Sequence, residues 1–252
     1  MKGSPVSRVS RRRYLMVAAV LNLPLALFAT AYLARSASPP EIPSNVAWTE
    51  TTLAAANGGD AFRGLLLARR CDHCHGAEGF SDDSSIPNLA NIDRLTIWKQ
   101  LEDYRTDKRA SLVMRGIAMP LSAQNSADLA AYYSMLPNSS DPQDKRVFPQ
   151  APPNGIEAGL ASRLVTLGDG QRGIPPCQSC HGPVGSVRGA PSLATQNGSY
   201  ILSQLEGFAS GLRTNDINMR MRSVALQLTE QERRALADYY GSGAGLLPGG
   251  AR

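Results

Sequence analysis

Two kinds of apolar patterning run along the chain. Near the N-terminus, Tyr14 to Leu33 is a run of 20 uncharged, mostly apolar residues. Farther on, apolar positions recur at helical spacing over Leu53 to Arg70, Ile156 to Leu167 and Leu226 to Tyr240, which predicts helices there. No stretch alternates apolar and polar residues as a half-buried strand does, so the predicted fold is all-α. Between these segments the polar composition marks connections. Residues 36–52, rich in Ser, Pro and Glu, read as a tether, and residues 137–154 carry five prolines and little apolar material. The predicted organisation is a signal or anchor segment at 1–38, a first domain at 53–137, a linker at 138–154, a second domain at 155–241 and a Gly-rich flexible tail at 242–252.

The two domains are one pattern written twice. Pro87-Asn88-Leu89-Ala90 matches Pro191-Ser192-Leu193-Ala194, and Ile97, Gln100, Leu101, Glu102 and Tyr104 match Ile201, Gln204, Leu205, Glu206 and Phe208. The segment from Met114 to Ser122 matches Met221 to Thr229, and the closing LAAYY at 129–133 matches LADYY at 236–240. The offset stays between 104 and 107 residues. Solenoid repeats recur at about 20 to 50 residues, so this is duplication of a whole small domain.

Charge refines the reading of the N-terminus. The first 35 residues hold six of the 26 Lys and Arg and no acid, which leaves 20 bases against 21 acids elsewhere. The basicity is therefore a topology signal, and a nucleic-acid function gains no support. A bilayer span takes about 20 residues and a signal-peptide core about 7 to 15, so length favours a retained anchor with Arg11, Arg12 and Arg13 in the cytoplasm. Cleavage near Ala34 to Ser38 is the alternative. Ser10 to Leu15 also has the look of a twin-arginine export signal, although an ordinary basic n-region serves as well. Every version exports the rest of the chain, to the periplasmic side of a bacterial inner membrane.

The chemistry is concentrated in CDHCH at 71–75 and CQSCH at 177–181, which hold all four cysteines and all three histidines, with one histidine, His75 or His181, closing each pentad. Two disulfides would not explain a histidine after each pair. A zinc site normally brings its cysteine pairs within about 12 to 20 residues, far less than the distance from Cys74 to Cys177. A redox dithiol belongs to strand-bearing folds. Cys-x-x-Cys-His is instead the pattern that attaches c-type haem, with Cys71, Cys74, Cys177 and Cys180 adding to the haem vinyls and His75 and His181 ligating iron. His73, inside the first pentad, is expected at the surface.

With His75 and His181 used and His73 expected at the surface, methionine is the candidate sixth ligand, and His/Met ligation suits an electron carrier by raising the potential. Met1 and Met16 lie in the export segment and Met135 at the end of a helix, which leaves Met114, Met119, Met219 and Met221. Only Met114 and Met221 occupy equivalent positions in the two copies, so they are the expected ligands, with Met119 and Met219 as alternates. The carbonyls of Pro87 and Pro191 are candidate acceptors for the other imidazole N–H. Arg115 and Arg222 are candidates for the haem propionates or for solvent. Gly64 and Gly159 are candidates for close contact with the last helix of each domain at Tyr132, Tyr133, Tyr239 or Tyr240.

These residues resemble the di-haem c-type cytochromes of the cytochrome c4 family. CDHCHGAEG and CQSCHGPVG, Gly-Ile-Pro-Pro before the second pentad, the methionine segments running into Leu-Ser and Leu-Thr, and the final LAAYY and LADYY carry the likeness, over about residues 55–241. The resemblance implies two helical cytochrome c domains about a pseudo-twofold axis, haems near their interface, and single-electron transfer between respiratory partners. Expected partners are a quinol-oxidising complex, a terminal oxidase or a dehydrogenase. The long apolar segment departs from a freely diffusing carrier and favours a tethered donor to a membrane oxidase. The rival readings are an electron-transfer subunit of a periplasmic dehydrogenase, a di-haem peroxidase and a haem-based sensor. Paired methionines that close both irons, with no output domain, favour a carrier over an enzyme or sensor.

Overall fold

The computed structural model describes residues 48–137, 155–182 and 187–243. The apolar N-terminal run, the linker at 138–154 and the tail from 244 lie outside them. Among the described residues there is no strand, only an isolated bridge between Asp169 and Ile174. None of their helices is long and apolar enough to cross a membrane.

The first half contains α1 (Glu50–Asn57), α2 (Ala61–Ala68), α3 (Asp72–His75), α4 (Arg94–Arg105), α5 (Leu112–Ala118) and α6 (Ala123–Met135). The second contains α7 (Gly155–Thr166), α8 (Gln178–His181), α9 (Gly198–Ser210), a short 3-10 turn (Ile217–Met219), α10 (Arg220–Gln227) and α11 (Glu230–Gly241). In each half the last helix packs on the helix before the pentad and on the middle helix: α6 on α2 and α4, α11 on α7 and α9.

Local chemistry places the helix ends, and in four places the structure departs from the sequence expectation. The helix predicted from Leu53 to Arg70 is two helices. Gly58 caps α1, with its N–H donating to the carbonyls of Ala54 and Ala55, and Asp60 caps α2 by accepting from the N–H of Arg63. Fold also begins earlier than expected, because Trp48 packs on the first core and α1 starts inside the presumed tether. The segment from Leu226 to Tyr240 breaks at Thr229, whose hydroxyl and Glu232 form a capping box that starts α11. Ser242, expected in the tail, is buried and its N–H donates to the carbonyl of Asp238.

Each half has its own apolar core. The first centres on Ile97, Trp98, Leu129 and Tyr133, and the second on Leu164, Ile201, Leu205, Leu236 and Tyr240. Burial of such side chains contributes about 1.5–3 kcal/mol each, which makes the two cores the main source of stability. Trp48 belongs to the first core, its ring 6.3 Å from that of Trp98. It also fills the open side of Gly189 in the second half, where an added Cβ would lie 3.0 Å from its ring.

Close helix approach depends on glycine in the first half alone. A Cβ at Gly64 would sit 2.1 Å from the Asp128 carbonyl oxygen and 2.7 Å from Cβ of Tyr132, as expected for contact with the last helix. Gly159 does not do this: it is exposed and a Cβ there would meet nothing within 4 Å. In α7 the residue buried in the core is Ala161.

Candidate haem sites

The two pentads have one geometry. Cys71 and Cys177 precede α3 and α8, and each carbonyl accepts from the N–H of the pentad histidine at 2.9 Å. The tight turn sets the paired sulfurs three residues apart on a helical backbone, with the histidine following. None of the four cysteines is paired in a disulfide. Burial pushes the Cys71 thiol up and that of Cys177 up to about 11. A dithiol built for exchange would have a depressed value, so this environment does not suit the redox-dithiol reading.

Each histidine is oriented by a proline carbonyl. His75 Nδ1 lies 2.8 Å from the oxygen of Pro87, and His181 Nδ1 lies 2.7 Å from that of Pro191. A carbonyl only accepts, so Nδ1 carries the proton and Nε2 keeps its lone pair. Burial also holds both imidazoles below their ordinary pKa, against the opposing effect of the proline carbonyls, which favours the neutral ligand form. The loop from His75 to Pro87 turns on Gly76, at φ 75°, where an added Cβ would lie 2.0 Å from the Phe80 oxygen. His73 is exposed, as expected.

The methionines separate by burial. Met114, in the first turn of α5, and Met221, in α10, are half-buried, and Met221 borders the same core as Cys177. Met119 and Met219 are 56% and 47% exposed. Met135 ends α6 and is also exposed. The arginines after Met114 and Met221 have protein partners. Arg115 Nε donates to Asp107 at 2.5 Å on the surface, and Arg222 Nε donates to Asp216 at 2.7 Å in the interior.

A polar seam joining the halves was not anticipated. Asn88 donates from Nδ2 to the Thr195 carbonyl at 2.7 Å, and its own N–H donates to Gln196 Oε1 at 2.8 Å. Gln196 Nε2 returns a bond to the Asn88 carbonyl at 3.0 Å. Arg109 donates to Gln100, Gln204 and the Tyr200 hydroxyl, while Arg213 donates to Gln204, Gln100 and Asn215. Each guanidinium also stacks on an aromatic of its own half, Arg109 over Tyr104 and Arg213 over Phe208. Lys99 pairs with Asp103 and donates to the Asn215 carbonyl at 2.6 Å. The signal for the arginines was present: Arg109 and Arg213 stand at the same 104-residue offset as the matched glutamines, each five residues after the matched aromatic.

This seam tests whether the chain suits haem. Lys99, Arg109 and Arg213 supply three cations against the single carboxylate of Asp103. Burial, with Arg109 next, brings the Arg213 guanidinium down to about 10. In the first core, the buried indole N–H groups of Trp48 and Trp98 have no acceptor among the described residues. Buried cations and donors in excess call for anionic acceptors, and haem propionates are such groups. Free cysteine pairs, histidines with Nε2 unblocked and this cationic seam together fit haem c.

No family model matches the chain. It is 36% identical over 185 residues to cytochrome c4 of Pseudomonas aeruginosa, covering 72% of this chain and 87% of that protein. It is 35% identical over 175 residues to a thiosulfate dehydrogenase electron acceptor of Thiomonas intermedia, covering 68% and 77% of the two chains. The crystal structure of reduced recombinant cytochrome c4 from Pseudomonas stutzeri superposes with a TM-score of 0.64 at 32% identity, covering 73% of this chain and 98% of that one. On these relationships the chain belongs to the cytochrome c4 family, electron-transfer proteins of the c type with two covalently bound haem c groups.

Proposed function

We propose that Cys71 and Cys74 hold one haem and Cys177 and Cys180 the other, with His75 and Met114 as iron ligands in the first half, and His181 and Met221 in the second. The observation that carries this is the matched pair of proline–histidine bonds, which leaves Nε2 of both histidines available for iron. The haem iron supplies a reversible one-electron change when bound. The chain orients the axial ligands, excludes water and sets the surrounding charge, and so tunes that change.

The carrier works at the periplasmic face of a bacterial inner membrane, held by the apolar run from Tyr14 to Leu33, and passes electrons between respiratory partners towards a terminal oxidase. The relative named as a thiosulfate dehydrogenase electron acceptor favours a second reading, in which a periplasmic dehydrogenase is the donor. Met114→Ala and Met221→Ala test the ligand assignment. Each is expected to change the reduced-minus-oxidised spectrum and lower one midpoint potential, and unchanged spectra and potentials in both variants would refute it. Reduction of the purified protein by quinol-oxidising membranes or by a thiosulfate-oxidising dehydrogenase separates the two donors.

A further inference from the structure

We propose that the exposed face of α2 docks on an anionic lipid surface, an inference that rests on the retained-anchor reading. Phe62, Leu65 and Leu66 are 70%, 43% and 56% exposed. Their spacing of three and four residues puts them on one face of the helix, opposite Gly64 and Ala68, which are buried. Exposed Arg69 and Arg70 follow directly. Apolar side chains that enter the headgroup region, beside arginines that reach phosphate oxygens, make an interfacial docking element. Arg63 is already engaged, by Asp128 and Asp60, and is not counted.

Duplication provides an internal control. Among the described side chains of the counterpart helix α7 the exposed ones are Gly155, Glu157, Gly159, Arg163 and Thr166, and a single exposed leucine, Leu167, follows its end. The ridge of three belongs to the domain that follows the apolar N-terminal run, and the described side chains of α7 form no counterpart to it. Only 14 residues, 34–47, separate the end of that run from Trp48. Fully extended they span at most about 50 Å, which confines the first domain to the neighbourhood of a membrane that holds the run. An apolar ridge held there meets lipid more often than it meets any dilute partner.

The test uses the full-length, haem-loaded chain in nanodiscs of phosphatidylglycerol and phosphatidylethanolamine. With the native cysteines in thioether links, an introduced cysteine is the sole free thiol for a nitroxide. Leu66→Cys and Gly159→Cys place the label on corresponding helices. The expected ratio of oxygen to nickel-chelate accessibility is several-fold higher at 66 than at 159, and it falls to the value at 159 when Phe62→Ser and Leu65→Ser are added. Equal ratios, with intact mass showing a retained N-terminus, overturn the ridge and leave the anchor standing. A mass lacking the N-terminus overturns the anchor. Flotation of that shorter protein with phosphatidylglycerol vesicles then decides the ridge: an at least ten-fold weaker association of the Phe62→Ser, Leu65→Ser variant supports it, while equal flotation or none refutes it.

Discussion

Arg109 and Arg213 share their acceptors: each donates to both Gln100 and Gln204, at distances of 2.7 to 3.3 Å, so neither arginine belongs to one half alone. Both sit in a seam where cations outnumber carboxylates. Arg109→Ala therefore removes hydrogen bonds within and between the halves. The expected cost is about 2–4 kcal/mol, since a charged hydrogen bond contributes about 1.5–3 kcal/mol, and thermal unfolding should separate into two steps. A cation near an iron centre favours the reduced form, so redox titration should also show a lower potential. A single transition at the parent Tm with unchanged potentials would count against the seam as a coupling device.

Asn88 is 1% exposed and holds the halves together through both its side chain and its backbone. Its Oδ1 also accepts from the N–H of Ser81, whose hydroxyl donates to the Cys74 carbonyl at 2.6 Å. Asn88→Ala strands these partners in a dry site. A loss of about 2–4 kcal/mol in urea unfolding is expected, because unsatisfied buried groups cost about 1–3 kcal/mol each.

Two glycine substitutions should behave oppositely. Gly76→Ala places a Cβ against the Phe80 carbonyl oxygen at a positive φ, next to the histidine of the first pentad. The backbone penalty alone is about 1–2 kcal/mol, and intact mass should show a reduced yield of the second haem addition. Gly159→Ala meets open space inside a helix. It should be neutral or stabilise by up to about 1 kcal/mol, with both haems present.

Glu232 joins the capping box of α11 to the start of the second pentad loop. It accepts from Arg172 at 2.6 and 2.9 Å and from the Thr229 N–H at 2.8 Å. Arg172 holds its carboxyl below the ordinary range despite the opposing effect of burial. A depressed carboxyl contributes stability that is fully present above the unfolded value, about 4.3 for Glu, and is lost as pH falls through the folded value. Glu232→Gln should therefore be less stable than the parent at pH 7, with the gap closing below about pH 4 as the parent's carboxyl protonates. Denaturant midpoints across that range provide the check.

Much of this molecule was legible in its sequence, for identifiable reasons. The pentads hold every cysteine and histidine of the chain, and the 104 to 107-residue repeat fixed which methionines and prolines correspond. Helix boundaries were harder. Apolar periodicity continues through Gly58 and Gly59, yet Gly59 has no room for a Cβ against the Ala127 carbonyl and Asp60 starts a new cap, so one predicted helix becomes two. Gly159 misled because a glycine at a matched helix shows where a close approach is possible, not that it occurs. The seam was missed because its members are polar: Asn88, Gln196 and Arg109 look like surface residues until tertiary contact buries them.

Trp48 bears on the mechanics of the whole assembly. It is the first described residue and lies within the stretch expected to tether the chain, and it touches Trp98 in one half and the open side of Gly189 in the other. A pull transmitted along the N-terminal stretch therefore loads both halves through one indole ring. The start of the described chain is thereby pinned at the joint between the two electron-carrying halves.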